Sequence, residues 1–179
     1  MRYRLSRHPS AGAPPVVAVA VDLRRAGGEL RLDFMLVGTV SAIRLAAPAA
    51  PARKDGLWRS TCFELFLKPS AGEAYYEFNF SPSSEWAAYR FDGYRRGMTN
   101  ADLSAPFIES ARSGRALTLS ATIALGPLKA TSSARLGLSA VLETNDGAKS
   151  YWALAHGGDK PDFHRADGLI GRLPFESRA

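Results

Sequence analysis

Cysteine is almost absent: Cys62 is the one example in 179 residues. A lone thiol closes no internal disulfide and builds no multi-cysteine zinc site. Long apolar runs are missing too. The run Val16–Val21 (VVAVAV) is far shorter than the ~20 residues a helix needs to cross a bilayer, so no membrane partner is expected. The first residues, MRYRLSRHPSAGAPP, are basic but hold no apolar centre followed by a small-residue cleavage site. A cytoplasmic location is therefore expected.

Concentrated charge of one sign is also lacking. The formal net charge is +6, but Arg and Lys are scattered singly or in pairs such as Arg24-Arg25 and Arg95-Arg96. That pattern supports solubility and excludes the basic stripe of a nucleic-acid binder. No window of 11 or more residues combines helical periodicity with caps at both ends. No internal repeat or linker divides the chain, so one domain over residues 1–179 is expected. GxSxG, HExxH, P-loop and GxGxxG motifs do not occur. No catalytic residue is assigned, and the chain is not expected to be an enzyme.

Strand signals fill the space these absences leave. Val16–Arg24 is β-branched, Glu29–Val37 alternates polar and apolar residues, and Gly27-Gly28 between them marks a hairpin. Further strands are read at Ala42–Leu45, Cys62–Lys68, Tyr75–Phe80, Trp86–Asp92, Pro106–Ala111, Leu117–Leu125, Leu136–Thr144 and Tyr151–His156. Asn145-Asp146-Gly147 provides a turn between the last two. The composition, 46% hydrophobic and 22% charged, is that of a folded chain. About ten short strands with Gly and Pro punctuation predict an all-β antiparallel sandwich or barrel with little helix.

Period-two alternation sorts the central strands into two faces. Phe63, Leu65 and Leu67, then Tyr76, Phe78 and Phe80, then Ala87, Tyr89 and Phe91 form half of a core. The opposite face then collects Glu64, Glu77, Asn79, Trp86 and Arg90. A solvated face with a weak ion pair explains these residues, and so does a ligand-lined surface that mixes aromatics with a few polar groups. Near the end, Trp152 and His156 share a strand face, and Gly157-Gly158 lets the chain turn so that His164 reaches the same rim. Trp58 and Arg59 make another aromatic-basic pair. Glu64 and Glu77 have acid/base chemistry without a defined separation. His156, Asp162 and His164 have metal-ligand chemistry but arise easily by chance in a loop, and no metal is assigned.

Three stretches, LWRSTCFELFL, YYEFNFSPSSEWAAYRF and YWALAHGGDKPDFH, resemble the bacterial DOMON-like proteins, which are related to the family 9 carbohydrate-binding modules. The resemblance spans roughly Val16 to Leu173. It implies a jelly-roll β-sandwich that binds a small ligand, a saccharide or haem, on or beside a sheet face. A saccharide would be held by Trp58, Trp86 and Trp152 with Glu64, Glu77, Asn79 and Arg90, His156 and His164 lying on the rim; aromatic faces suit sugar C–H faces and planar polar groups suit hydroxyl pairs. The haem b alternative would use Met98 with His156 or His164. A protein–protein interaction module is a further reading. The expected function is a non-catalytic module for a saccharide or similar ligand, without a cofactor; the sequence does not set the oligomeric state.

Overall fold

The computed structural model describes residues 1–12, 15–126, 128 and 134–173. The last six positions of the domain expected over 1–179 lie outside them. Among the described residues there are twelve strands: β1 Arg2–Arg7, β2 Val16–Ala26, β3 Glu29–Gly38, β4 Cys62–Pro69, β5 Tyr75–Phe80 and β6 Trp86–Phe91, followed by β7 Thr99–Asn100, β8 Phe107–Ser113, β9 Ala116–Ala124, β10 Ala134–Glu143, β11 Lys149–Ala153 and β12 Gly171–Arg172. The named helical elements among the described residues are three-residue 3₁₀ turns, such as Leu57–Arg59. The all-β antiparallel sandwich expected from the sequence is the fold.

The strand order is β7-β6-β5-β4-β10-β11-β1-β2-β3-β9-β8, with β12 beside β10. The first half forms one layer, here sheet B, and β2, β3, β9 and β8 form sheet A. Strand β1 belongs to both: Arg2–Leu5 pair with β2, while Ser6 and Arg7 pair with β11. The basic first residues, for which no strand is read from the sequence, are thus the corner that joins the layers. Gly27 and Gly28 make the β2–β3 reversal at φ of 60° and 81°. The segment expected as a strand at Ala42–Leu45 instead follows a 3₁₀ turn and contributes one bridge, Ile43 to Thr144.

The two layers bury different patterns, and that difference places the site. In β2, β3 and β9 buried residues alternate with more exposed ones. Their inward set, including Val19, Val21, Leu32, Phe34, Leu36 and Leu119, meets Phe63, Leu65, Leu67, Phe78 and Phe80 of sheet B. Phe34 and Phe63 rings sit 5.0 Å apart across the interface. Each such side chain contributes ~1.5–3 kcal/mol on burial. In β4, β6 and β10 both faces are largely buried. Sheet B therefore has a covered outer side as well as a core side, with its own cluster of Leu57, Cys62, Phe66, Tyr75, Ala87, Tyr89, Phe91 and Leu169.

Candidate functional site

Registers define the floor of that outer side. Glu64 stands opposite Asn79 on β5 and opposite Ser139 on β10, while Glu77 stands opposite Phe66 and Tyr89. Directly opposed residues share a face. Cys62, Glu64, Phe66, Tyr75, Glu77, Asn79, Ala87, Tyr89, Phe91, Gly137 and Ser139 consequently form one surface. Gly137 makes room there: a Cβ at this position would lie 2.6 Å from Leu169 Cδ2, so a larger residue would displace that side chain from the strand.

Four polar side chains form two hydrogen-bonded pairs within this surface, and all are buried: Glu64 is 2% exposed, Glu77 5%, Asn79 0% and Ser139 1%. Ser139 Oγ donates to Glu64 Oε2 at 2.8 Å, and Asn79 Nδ2 donates to Glu77 Oε1 at 2.7 Å. Cys62 Sγ donates to Asn79 Oδ1 at 3.5 Å. Burial, then the neighbouring Glu77 charge, pushes the Glu64 carboxyl up to about 8. Burial raises Glu77 as well, against the Asn79 hydrogen bond and the Arg95 charge. The Cys62 thiol is pushed well up by burial and by both glutamates, which makes it an inert floor group.

Two loops reach over this floor. His164 packs edge-on against Phe66, Tyr75 and Phe91 at 5.1–5.9 Å. Its Nδ1 lies 2.7 Å from Tyr75 Oη and its Nε2 3.6 Å from Glu77 Oε2. Burial and then the Arg95 charge lower His164 to about 4, so the ring is neutral at pH 7. Arg95, on the β6–β7 connection, donates its backbone N–H to Tyr75 Oη and a guanidinium N–H to Asp162. Tyr94 Oη donates to the same carboxylate. Burial opposes the Asp162 charge, but these bonds hold the carboxyl below its usual range. Arg95 holds φ of 52° and Gly97 65°; a left-handed non-glycine residue of this kind marks a constrained turn. Tyr89 Oη donates to Asp55 Oδ1 at 2.7 Å, and burial followed by Asp55 raises the phenol.

The site residues expected from sequence divide into two groups. Glu64, Glu77, Asn79 and His164 are brought together. Trp58 is 51% exposed on the 3₁₀ turn beside β4 and β5, with the Arg59 guanidinium 5.3 Å from its ring. Trp86 and Arg90 require correction, because β6 is turned over relative to the sequence reading. Trp86 opposes Phe80 in the core, and Arg53 lies 4.2 Å over its ring. Arg90 opposes Tyr76 and pairs with Asp92 in solvent. Tyr89 and Phe91, expected in the core, stand on the outer face. Trp152 is another core residue, its Nε1 donating to Ser150.

His164 packs on the floor, while the contacts of His156 are with Ser6, His8 and Phe163. His156 Nε2 is 2.8 Å from the Ser6 carbonyl and its ring meets His8 at 4.9 Å. Met98 is 61% exposed ahead of β7. Both histidines named for haem are thus engaged elsewhere, and the residues do not fit that group. Among the described residues no three His, Cys, Asp or Glu side chains form a metal-binding group.

Sequence reasoning missed Arg95 and Tyr94, which lie in a loop without periodicity, and Ser139. The Gly137/Ser139 alternation in LGLSAVL was the available signal for the serine. No family model and no curated protein matches the chain. Solved structures do. A candidate carbohydrate-binding protein from Bacteroides uniformis is similar with a TM-score of 0.71 at 16% identity, covering 98% of this chain and 86% of that one. A family 9 carbohydrate-binding module from Caldicellulosiruptor kristjanssonii, in complex with glucose, gives 0.55 at 10% identity over 98% and 86% of the two chains. A module of that family from the same organism, in complex with cellotriose, gives 0.59 at 13% over 98% and 82%. At these identities the shared property is the fold: this chain has the β-sandwich architecture of the family 9 modules.

Proposed function

We propose that this protein is a non-catalytic saccharide-binding module whose ligand lies against the outer face of sheet B. The observation that carries the reading is the buried set of Glu64, Glu77, Asn79 and Ser139 beside the Tyr75 and Phe91 rings, with His164 packed over them. Buried polar groups cost folding free energy unless they are satisfied, and a sheet face that needed only covering would be filled with apolar residues. Carboxyl, amide and hydroxyl groups match the paired donors and acceptors of a sugar ring. The glucose and cellotriose complexes of similarly folded modules support the same ligand class.

In this reading Glu64 and Glu77 accept or exchange hydroxyl hydrogen bonds, Asn79 holds Glu77 in place from below, Arg95 donates from the roof, and exposed Trp58 offers a ring face at the rim. The glutamate pair serves recognition. Glycoside hydrolysis needs environments that drive two carboxyls apart in acidity, whereas burial pushes both of these upward. A glycan array followed by calorimetry tests the proposal. Binding of a saccharide, lost in Trp58→Ala while the melting temperature is retained, is expected. An array with no carbohydrate partner overturns it.

A further inference from the structure

We infer that His8 and His156 form an acid-sensitive latch that holds the roof segment 155–164 in place and releases it when the pH falls. The inference concerns the cover of sheet B and is independent of the ligand. Its first basis is how the segment is tied down. Residues 155–164 follow β11, and among the described residues no backbone-to-backbone hydrogen bond holds any of them. Side chains supply the ties instead. At the far end His164 packs on the floor and Asp162 binds Tyr94 and Arg95. At the near end the ties are His8 and His156. The chain has three histidines, and all three anchor this one segment.

The near end is a reciprocal pair of bonds. His156 Nε2 donates to the Ser6 carbonyl at 2.8 Å, and His8 Nε2 donates to the Gly158 carbonyl at 3.0 Å. A carbonyl only accepts, so both Nε2 atoms carry hydrogen. His8 Nδ1 accepts the Ser10 backbone N–H at 3.1 Å, which leaves that buried ring without a proton there. The two rings meet edge-on at 4.9 Å. Neither has a carboxylate within 4.0 Å of its nitrogens among the described residues; of the three histidines His164 alone does. The charged neighbours are engaged elsewhere. Asp167, which lies against Gly157, is bonded to Arg165, and Arg7 donates to the Gly12 carbonyl. Asp159 and Lys160 are exposed, and Tyr151 packs on Phe163. A proton added to either ring therefore sets a cation against the other imidazole with no anion to balance it, and on His8 it also displaces the Ser10 N–H. Burial lowers the His156 imidazole; the Ser6 carbonyl opposes that, and the His8 charge adds to it. With the folded value below the ordinary 6.5, the tie is whole above pH 6.5 and weakens as the pH falls from there.

The test is hydrogen exchange and NMR of the full-length chain without ligand, between pH 7.5 and 5.0. That window stays above the value of about 4 to which His164 is lowered, so the floor histidine remains neutral. After correction for intrinsic exchange, protection of the Ser10 and His164 amides should fall ~10-fold across the window, while β2 and β3 stay protected. The Ser10 amide reports the latch itself, and the His164 amide reports release of the far end. In His156→Gln the side-chain amide keeps a donor toward Ser6 but takes no proton, so the fall should disappear. Comparing the two proteins cancels the share of Glu64, which both retain. Thermal melts report whether the variant folds. If it does not, the wild-type titration decides: amide shifts across 155–164 that follow the His156 ring support the latch, and amides that ignore the ring overturn it. Equal loss of protection in both proteins, or no loss in the wild type, also overturns it. Each of these results leaves the saccharide reading untouched, because no ligand is present.

Discussion

Tyr75 Oη lies 2.7 Å from His164 Nδ1, a contact across 89 positions of sequence. The same oxygen accepts the backbone N–H of Arg95 at 3.3 Å. One phenol thus ties a floor strand to both roof loops. Tyr75→Phe removes the hydroxyl and leaves two half-buried partners unsatisfied. A loss of ~1–3 kcal/mol of stability is expected, read as a lower denaturant midpoint. An unchanged midpoint would show that water replaces the hydroxyl without cost.

The tryptophans should separate by role. Trp86 is 6% exposed in the core and Trp58 51% exposed on the rim. Trp86→Ala should cost ~3–5 kcal/mol by opening a core cavity. Trp58→Ala should change stability by no more than ~0.5 kcal/mol and act on ligand affinity. Equal destabilisation by the two, measured by urea unfolding, would contradict their placement.

Glu64 and His164 set opposing pH dependences. The Glu64 carboxyl is raised from 4.5 to about 8 on folding, so the native state holds a proton that the unfolded state releases. Its contribution is complete below the unfolded value and declines as pH rises toward 8. His164 is lowered from 6.5 to about 4, so stability tied to it rises with pH across that interval. Between pH 6.5 and 8 the Glu64 effect stands without opposition from His164. The wild-type melting temperature should fall there relative to Glu64→Gln, with a limiting slope of ~1.4 kcal/mol per pH unit. Parallel curves for the two proteins would contradict the burial argument.

Asp162 should act as the clasp between the roof loops. It accepts from Tyr94, from the Arg95 guanidinium and from the His164 backbone N–H. Asp162→Ala should speed hydrogen exchange at the Arg95 and His164 amides while leaving β2 and β3 protected. Unchanged exchange at both amides would show that the loops hold without it.

Sheet A was legible because one side of it meets solvent, and ELRLDFMLV and LTLSATIAL therefore alternate cleanly. Sheet B was harder to read. Its outer side is covered, so WAAYRF carries aromatic residues in both registers, and the face holding Tyr89 and Phe91 was as apolar as the face holding Trp86. Hydrophobic pattern alone could not tell core from covered floor. The Glu64, Glu77 and Asn79 part of the site survived because β4 and β5 mix polar and aromatic residues on one face only. Arg95, Tyr94 and the Asp162 clasp depend on loop geometry, which has no period to read. The corner strand Arg2–Arg7 was hidden by its charge, since four of its outward residues are polar.

The central claim is that a saccharide binds the outer face of sheet B. The most direct measurement is a two-dimensional amide NMR spectrum of the labelled protein, titrated with glucose, glucosamine and cellotriose. The account predicts saturable shifts at Glu64, Glu77, Asn79, Arg95 and the Trp58 indole, with the outward residues of β2 and β3 unmoved. Shifts confined to sheet A, or no shift with any of the three sugars, would contradict it.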